Sequence, residues 1–312
     1  MNLKISVLIF LLSFSVFSQK NLVNIDSLIK SDNYFVLKDI KYGSFDRNIL
    51  DLWISNKDNK SPLMIYIHGG GFGSGSKESA YSKNNFNRIK KLIDNGVSFA
   101  TINYRFKNNN DGILTSLKDA KRALQFLRFN SDKYKIDKSK IGVMGSSAGA
   151  TSSLWLGFFD DMADLKSTDP VERESSRVSL VVGIAAAHTM DLNKWRIMAN
   201  VDKQYMEELT KQYIGKLDQE KWMNEVYVKN HISKIDFFDK MDINDPPFFI
   251  VNFGKNRKPR NIADFHHHPL HARELKLKAD SLSMKNVVYA TGIGIIDKSR
   301  QNMVGFILEN LN

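Results

Sequence analysis

A glycine-flanked serine motif constrains the fold of this chain more than any other feature. Residues 145–149 read Gly-Ser-Ser-Ala-Gly and directly follow the apolar run 141–144. Glycines two positions before and after a serine are typical of a sharp turn from a strand into a helix, where larger side chains would collide. Such a turn holds the hydroxyl of Ser147 above the end of a sheet, where the dipole of the following helix favours negative charge. The motif therefore predicts a strand, a tight elbow and a helix, in that order.

Apolar β-rich runs alternate with amphipathic stretches along most of the chain. The predicted strands are 34–40, 49–54, 63–67, 97–102, 141–144, 180–185, 248–251 and 286–289. Several are short and continuously apolar, which is typical of parallel strands covered on both faces. The first two strands have no helix between them and are expected to form an antiparallel hairpin at the edge. The pattern predicts an α/β fold with a parallel sheet between two layers of helices.

Residues 191–245 depart from this alternation. They contain helical segments and no clear strand, and they carry four large aromatic residues: Trp195, Tyr205, Tyr213 and Trp222. An insertion of this kind between two strands would act either as a lid over a site or as peripheral helical packing, and both interpretations stay open. We assign 19–312 to one domain that includes this insertion.

The first 18 residues have the pattern of a secretory signal peptide. Lys4 precedes an apolar run that is short for a membrane span, and small or polar residues follow it. No later segment is long and apolar enough for a transmembrane helix. We therefore expect a secreted or periplasmic protein without membrane attachment after signal cleavage. The chain has no cysteine, which excludes disulfides and a thiol nucleophile.

The chain is basic, with a formal net charge of +11. Most lysines are spread along amphipathic segments, but residues 255–260 form a dense basic run. This run would attract an anionic partner such as an acidic glycan, or it is a solvated loop. No aromatic residues are interleaved with the basic ones and no nucleic-acid motif is present, so we expect no nucleic-acid partner.

A second glycine-rich motif supports acyl chemistry. Residues 68–72 read His-Gly-Gly-Gly-Phe and follow the predicted strand 63–67. A loop at this position can place backbone N–H groups beside the serine, where they would stabilise the negatively charged oxygen of a tetrahedral intermediate. The predicted oxyanion donors are Gly70, Gly71 and Ala148.

These motifs resemble those of the α/β-hydrolase superfamily, and within it the carboxylesterase and hormone-sensitive-lipase-like branch. Asn103-Tyr104-Arg105 and Asp119-Ala120 add to the resemblance, which covers roughly residues 63–156. The resemblance implies a mostly parallel sheet of eight strands, hydrolysis of esters, and a catalytic triad in the order serine, acid, histidine. We expect no cofactor. Ser147 would be the nucleophile.

The resemblance places the acid in the loop after strand 248–251. Between Asp245 and Glu274 the only acidic residue is Asp264, which lies behind the stretch 254–262. Asp264 is therefore the predicted acid, although it could equally cap the following helix. Asp191, after strand 180–185, is the runner-up.

The resemblance places the base in the loop after the last strand, but residues 291–297 contain no histidine. All seven histidines lie at or before position 271. We take His267 as the candidate base and keep four alternatives: His266, His268, His271 and His188. Without a base, a serine hydroxyl is a poor nucleophile at neutral pH.

The same histidines raise the question of a metal. His267 or His268 with His271 has a spacing that would place two imidazoles on one helix face. Pro269 favours the first position of a helix and so leaves His267 and His268 outside it. We therefore expect no metal site.

Two functions remain open from the sequence. The first is a secreted serine hydrolase that acts on carboxylic esters, including acyl groups on glycans, with a displaced histidine. The second is a catalytically inactive hydrolase fold that binds a glycan or a protein partner. Acyl transfer is not separated from hydrolysis by any residue.

Overall fold

The computed structural model describes residues 34–56, 59–108, 110–205 and 225–311. The predicted signal peptide and the part of the insertion with Tyr213 and Trp222 lie outside the described residues. Among the residues described, none of the helices combines the length and apolarity needed to span a membrane.

The described strands form one sheet of eight. They are β1 (Tyr34–Lys41), β2 (Ile49–Ser55), β3 (Ser61–Ile67), β4 (Ser98–Ile102), β5 (Ile136–Ser146), β6 (Leu180–Ile184), β7 (Phe248–Asn252) and β8 (Asn286–Ala290). Their order is β1-β2-β4-β3-β5-β6-β7-β8. β2 pairs antiparallel with β1 and β4, and the other pairs are parallel. All eight predicted strands and the antiparallel first pair are confirmed, although β5 begins earlier than expected.

Helices cover both faces of this sheet, as predicted. They are α1 (Lys83–Asp94), α2 (Leu114–Phe129), α3 (Ala148–Phe158), α4 (Leu192–Met198), α5 (Glu225–Ile235), α6 (Ile262–His266), α7 (Leu270–Ser281) and α8 (Met303–Leu311). Helices α4 and α5 belong to the predicted insertion. With the sheet, this arrangement is the expected α/β-hydrolase architecture.

Alternating side chains of the central strands enter two separate cores. Along β3, Leu63, Ile65 and Ile67 pack into a core with α2, α3 and α7. Met64 and Tyr66 face the other way, into a core with α1 and α8. Because both faces of the strand are buried, its sequence reads as a continuous apolar run instead of an alternating one.

The predicted elbow follows β5 directly. Ser147 has φ 54° and ψ −121°, a strained left-handed conformation, and α3 begins at the next residue. A Cβ atom on Gly145 would lie 2.2 Å from the carbonyl carbon of Gly149, and one on Gly149 would lie 2.0 Å from the carbonyl oxygen of Ile67. Both glycines are therefore required because backbone atoms occupy the space that a side chain would fill.

We expect Gly149→Ala to lower the free energy of unfolding by about 1–3 kcal/mol, since the added methyl group meets rigid backbone. Gly305→Ala in α8 is the matched control, because its Cβ would meet only the side chain of Asn302, at 3.6 Å. That change should leave stability equal or slightly higher, as alanine favours helices. Chemical denaturation of the two variants measures both effects. Equal stability of the two would show that the close approach at the elbow is not limiting.

Candidate active site

Ser147 lies at the carboxyl end of the sheet, between two neighbouring strands. Its backbone N–H donates to the carbonyl oxygen of Ile184, at the end of β6, at 2.8 Å. On the other side, a Cβ on Gly69 would lie 3.3 Å from the Cβ of Ser147. The glycine loop after β3 therefore lies against the serine, as its sequence position predicts.

The glycine loop presents unused backbone donors. Gly70 and Gly71 have φ values of 116° and 58°, and the carbonyl oxygen of Gly70 accepts from the N–H groups of Gly73 and Ser74, both at 3.0 Å. Within the described part of the chain, the N–H groups of Gly70, Gly71 and Ala148 donate to no protein acceptor. Ala148 is the first residue of α3, where an N–H has no partner within the helix. Three free donors thus lie in the segments that flank Ser147.

Buried contacts hold this loop in place. The ring of His68 stacks on Tyr104 with centroids 4.2 Å apart, and the Tyr104 hydroxyl donates to the His68 carbonyl oxygen at 2.8 Å. Arg47 donates to the carbonyl oxygens of Tyr104 at 2.7 Å and Gly75 at 2.9 Å. Burial lowers the pKa of His68 to about 4, so it is neutral at neutral pH. These contacts give His68 a structural role.

His267 is the imidazole that reaches the serine. Its Nε2 lies 2.8 Å from Oγ of Ser147. The residue directly follows α6, so it belongs to the segment after β7 and not to the loop after β8. Burial lowers the pKa of His267 below its usual 6.5, and the charge of Asp264 raises it by a smaller amount. A neutral Nε2 at hydrogen-bond distance can accept the hydroxyl proton.

His188 and His271 form a buried pair with each other. Nδ1 of His271 accepts from the His188 backbone N–H at 3.3 Å and lies 2.7 Å from Nδ1 of His188. Its Nε2 lies 2.9 Å from the Phe265 carbonyl oxygen, which assigns the proton of His271 to Nε2. Burial lowers the pKa of both rings, that of His188 to about 3. The pair therefore braces α7 against the segment after β6 and is not placed to serve Ser147.

The two remaining alternatives, His266 and His268, form no hydrogen bond to Oγ of Ser147 among the described residues. His266 is buried, packs edge-on against the rings of Trp195 and His267, and interacts with the backbone of Ser147. His268 donates from Nε2 to the carbonyl oxygen of Arg257 at 3.0 Å. The histidines that suggested a metal thus point to separate partners, and no group of three or more metal-binding side chains occurs among the described residues.

Asp264 does not form the expected bond to the base. Its Oδ2 accepts from Nε of Arg260 at 3.0 Å and lies 3.4 Å from a guanidinium nitrogen of Arg257. Among the residues that the structure describes, no carboxylate forms a hydrogen bond to His267. The two guanidinium groups hold the carboxylate of Asp264, which can act on His267 only through its charge. Asp191 caps α4 by accepting the N–H of Asn193 at 2.8 Å.

Asn252 is a site residue that the sequence reasoning missed. It is fully buried at the end of β7, and its Nδ2 donates to the carbonyl oxygens of His267 at 3.2 Å and His268 at 3.4 Å. Its Oδ1 accepts the N–H of Gly254 at 2.7 Å. The side chain therefore fastens the segment that carries the base to the sheet. A polar residue that directly follows the apolar run 248–251 is the signal that could have found it.

The loop after β8 has no space for an imidazole at Gly292. A Cβ there would lie 2.0 Å from the carbonyl oxygen of Gly254, and a Cβ on Gly254 would lie 2.3 Å from the carbonyl oxygen of His267. The three backbone segments are thus stacked closely. The loop at Gly292, where a histidine was expected, and His267, which reaches the serine instead, therefore lie in the same closely packed region.

Comparisons with known proteins agree with this fold. The family model BD-FAE matches residues 50–257. The chain is 29% identical to juvenile hormone esterase of Tribolium castaneum over 131 residues, which are 38% of this chain and 21% of that protein. It is 27% identical to esterase LipC of Mycobacterium tuberculosis over 165 residues, which are 50% of this chain and 38% of that protein. The chain therefore spans well under half the length of these curated relatives.

Solved structures share the fold over nearly the whole chain. A truncated carbohydrate esterase from gut microbiota superposes with a TM-score of 0.63 at 19% identity, covering 90% of this chain and 98% of that one. An acetyl ester-xyloside bifunctional hydrolase from Caldicellulosiruptor lactoaceticus gives 0.55 at 20% identity, covering 87% and 89%. At these identities the likeness shows the fold alone. With a family model matching from β2 into the loop after β7, this carboxylesterase-like α/β-hydrolase belongs to the BD-FAE family.

Proposed function

We propose that the protein hydrolyses carboxylic esters, with Ser147 as nucleophile and His267 as base. The observation that carries this proposal is the 2.8 Å contact between Nε2 of His267 and Oγ of Ser147. The free N–H groups of Gly70, Gly71 and Ala148 lie in the segments beside it. A nucleophile, a neutral base and preorganised donors are the groups that acyl transfer requires.

Acylation uses each group once. Oγ of Ser147 attacks the ester carbonyl carbon while its proton passes to Nε2 of His267, and the carbonyl oxygen becomes an oxyanion. The free N–H groups donate hydrogen bonds to this oxyanion, and because they are already in place no reorganisation is needed. The tetrahedral intermediate then collapses, the bond to the alcohol oxygen breaks, and His267 returns the proton to the departing alcohol.

Deacylation repeats these steps with water. His267 takes a proton from water, the hydroxide attacks the acyl carbon, and the bond to Oγ breaks as His267 reprotonates Ser147. Each cycle consumes one ester and one water and releases an acid and an alcohol. An acceptor alcohol in place of water would give acyl transfer by the same route.

The machinery that we propose is a dyad assisted by a distant charge. In a triad, a carboxylate bonded to Nδ1 orients the imidazole and stabilises the imidazolium. Here the orienting role falls to Asn252, which holds the backbone of His267. Asp264 stabilises the imidazolium only through its charge, which the neighbouring guanidinium groups partly neutralise.

Acyl groups on glycans are the substrates that we propose. Two of the proteins that share the fold are a carbohydrate esterase and an acetyl ester-xyloside hydrolase. The signal-like segment 1–18 predicts export to a compartment where such glycans occur. The inactive-fold alternative was motivated by the absence of a histidine after β8 and by the basic run 255–260, and the position of His267 weakens the first of these arguments.

We expect the purified protein to react with a fluorophosphonate probe and to hydrolyse a short 4-nitrophenyl ester. Ser147→Ala should abolish labelling, and His267→Ala should lower kcat/KM by at least about 100-fold through loss of general base catalysis. His231→Gln, in α5, is the matched control and should retain activity. A folded wild-type protein that neither labels nor turns over ester would support the binding function instead.

We expect Asp264→Asn to lower kcat/KM by less than about tenfold, far less than the loss of a directly bonded triad carboxylate. In the wild type, the acid limb of the pH profile should lie below pH 6.5, because burial lowers the pKa of His267. The Asp264 charge raises that pKa, so its removal should move the limb to lower pH. Asp132→Asn, on an exposed surface, should move nothing. A loss of several thousandfold would indicate that Asp264 contacts His267 directly during turnover.

We expect Asn252→Ala to lower kcat by at least about tenfold with a smaller effect on KM, because misplacement of a catalytic group by about 1 Å can cost 100-fold. Asn252→Asp keeps the acceptor for the Gly254 N–H but loses the donor to His267, so it should be similarly impaired. The fluorophosphonate labelling rate, measured well below the melting temperature, separates positioning from stability. Wild-type labelling rates in both variants would leave Asn252 with a purely structural role.

A further inference from the structure

The four cations of segment 255–260, which we call the basic rim, adjoin the base. They are Lys255, Arg257, Lys258 and Arg260. The segment begins just after Gly254, whose backbone packs against the His267 carbonyl oxygen. The next histidine, His268, donates to the carbonyl oxygen of Arg257 at 3.0 Å. The basic rim thus contacts the chain at His267 and at the residue that follows it.

Contacts with the domain hold the basic rim in position. The ammonium of Lys258 lies 4.2 Å from the ring centroid of Tyr205, and the Tyr205 hydroxyl donates to the carbonyl oxygen of Pro259. Asp264 binds Arg257 and Arg260 through one oxygen atom. A loop with several such attachments keeps its charges at a constant place relative to the site.

The charge of the basic rim is mostly uncompensated. Residues 255–264 contain four cationic side chains and one carboxylate, Asp264. The side chains of Arg257 and Arg260 remain 45% and 66% exposed despite their ion pairs. Lys255 is exposed, and among the described residues its ammonium forms no ion pair or hydrogen bond. A fixed excess of positive charge close to the site raises the local concentration of anions.

We propose that the basic rim selects esters that carry a carboxylate, in either the acyl or the alcohol portion. This inference rests on the ester hydrolysis proposed above and adds the substrate class. The ester carbon reacts at Ser147 while the substrate carboxylate is attracted by the rim. Such attraction speeds encounter and favours bound anionic substrates, and dissolved salt screens it.

Two matched pairs of esters test the proposal. For the acyl portion, 4-nitrophenyl hydrogen adipate is compared with methyl 4-nitrophenyl adipate, because the longer chain suppresses attack of the carboxylate on its own ester. For the alcohol portion, 3-acetoxybenzoate is compared with methyl 3-acetoxybenzoate. Each kcat/KM is divided by the rate at which neutral hydroxylamine cleaves the same ester, which corrects for intrinsic reactivity without adding a charge effect. For each pair, the normalised kcat/KM of the anionic ester is divided by that of the neutral ester. The pair with the larger quotient identifies the portion of the substrate that the basic rim attracts.

We expect the anionic member of at least one pair to be preferred by about fivefold or more at low ionic strength, with the preference falling towards unity near ~0.5 M salt. Lys255→Gln should reduce this preference by about two- to fivefold, since it removes a charge without breaking an ion pair. Lys138→Gln is the matched control. It lies in the first part of β5, at the other end of the sheet from Ser147, and should leave the ratios unchanged.

The outcomes separate this inference from the proposed function. If neutral and anionic esters are hydrolysed equally at low salt, or if Lys138→Gln alters the ratio as much as Lys255→Gln, selection by the basic rim is wrong and ester hydrolysis stands. If no ester is hydrolysed, the proposed function itself fails.

Discussion

The hydrogen bond between Ser147 and His267 depends on backbone segments that pack closely at the carboxyl end of the sheet. The elbow requires Gly149 because the backbone of β3 passes beside it, and Gly292 lies against Gly254 in the same way. This packing brings the segment after β7 close enough for an imidazole to reach Oγ at 2.8 Å. It also excludes a side chain at Gly292, in the loop where the sequence resemblance placed the histidine.

Because His267 lies in the segment after β7, it is held by other residues than a histidine in the loop after β8 would be. The backbone of His267 is held by the amide of Asn252, and its ring packs against His266. No carboxylate was found at hydrogen-bond distance from it within the described residues. The energetic consequence is that the imidazolium formed during acylation receives less stabilisation than in a triad, while burial keeps the resting imidazole neutral. The imidazole of His267 is therefore ready to accept a proton, but its protonated form is less stable than it would be in a triad.

The sequence predicted the fold more completely than the site. The central strands were located because each is an apolar run whose two faces are buried, whereas β1 is an edge strand with mostly exposed side chains. The elbow was predictable because backbone crowding at positions 145 and 149 leaves room only for glycine, and both glycines are visible in the sequence. From the sequence, His267 was only one of five candidate bases. Neighbouring histidines in the run 266–268 contact different partners, and the sequence does not show which of them faces Ser147. The bonding of Asp264 to two arginines was not predictable, because each of these charges is also compatible with solvent.

The central claim is that His267 replaces the missing histidine as the base. A crystal structure of the protein inhibited by an organophosphonate would test this most directly, because phosphorus bonded to Oγ of Ser147 mimics the tetrahedral intermediate. We predict Nε2 of His267 within about 3 Å of the Ser147 Oγ or of the ester oxygen on phosphorus. We also predict a phosphonyl oxygen that accepts from N–H groups of the set Gly70, Gly71 and Ala148. A different imidazole in that position, or His267 turned away from the adduct, would contradict it.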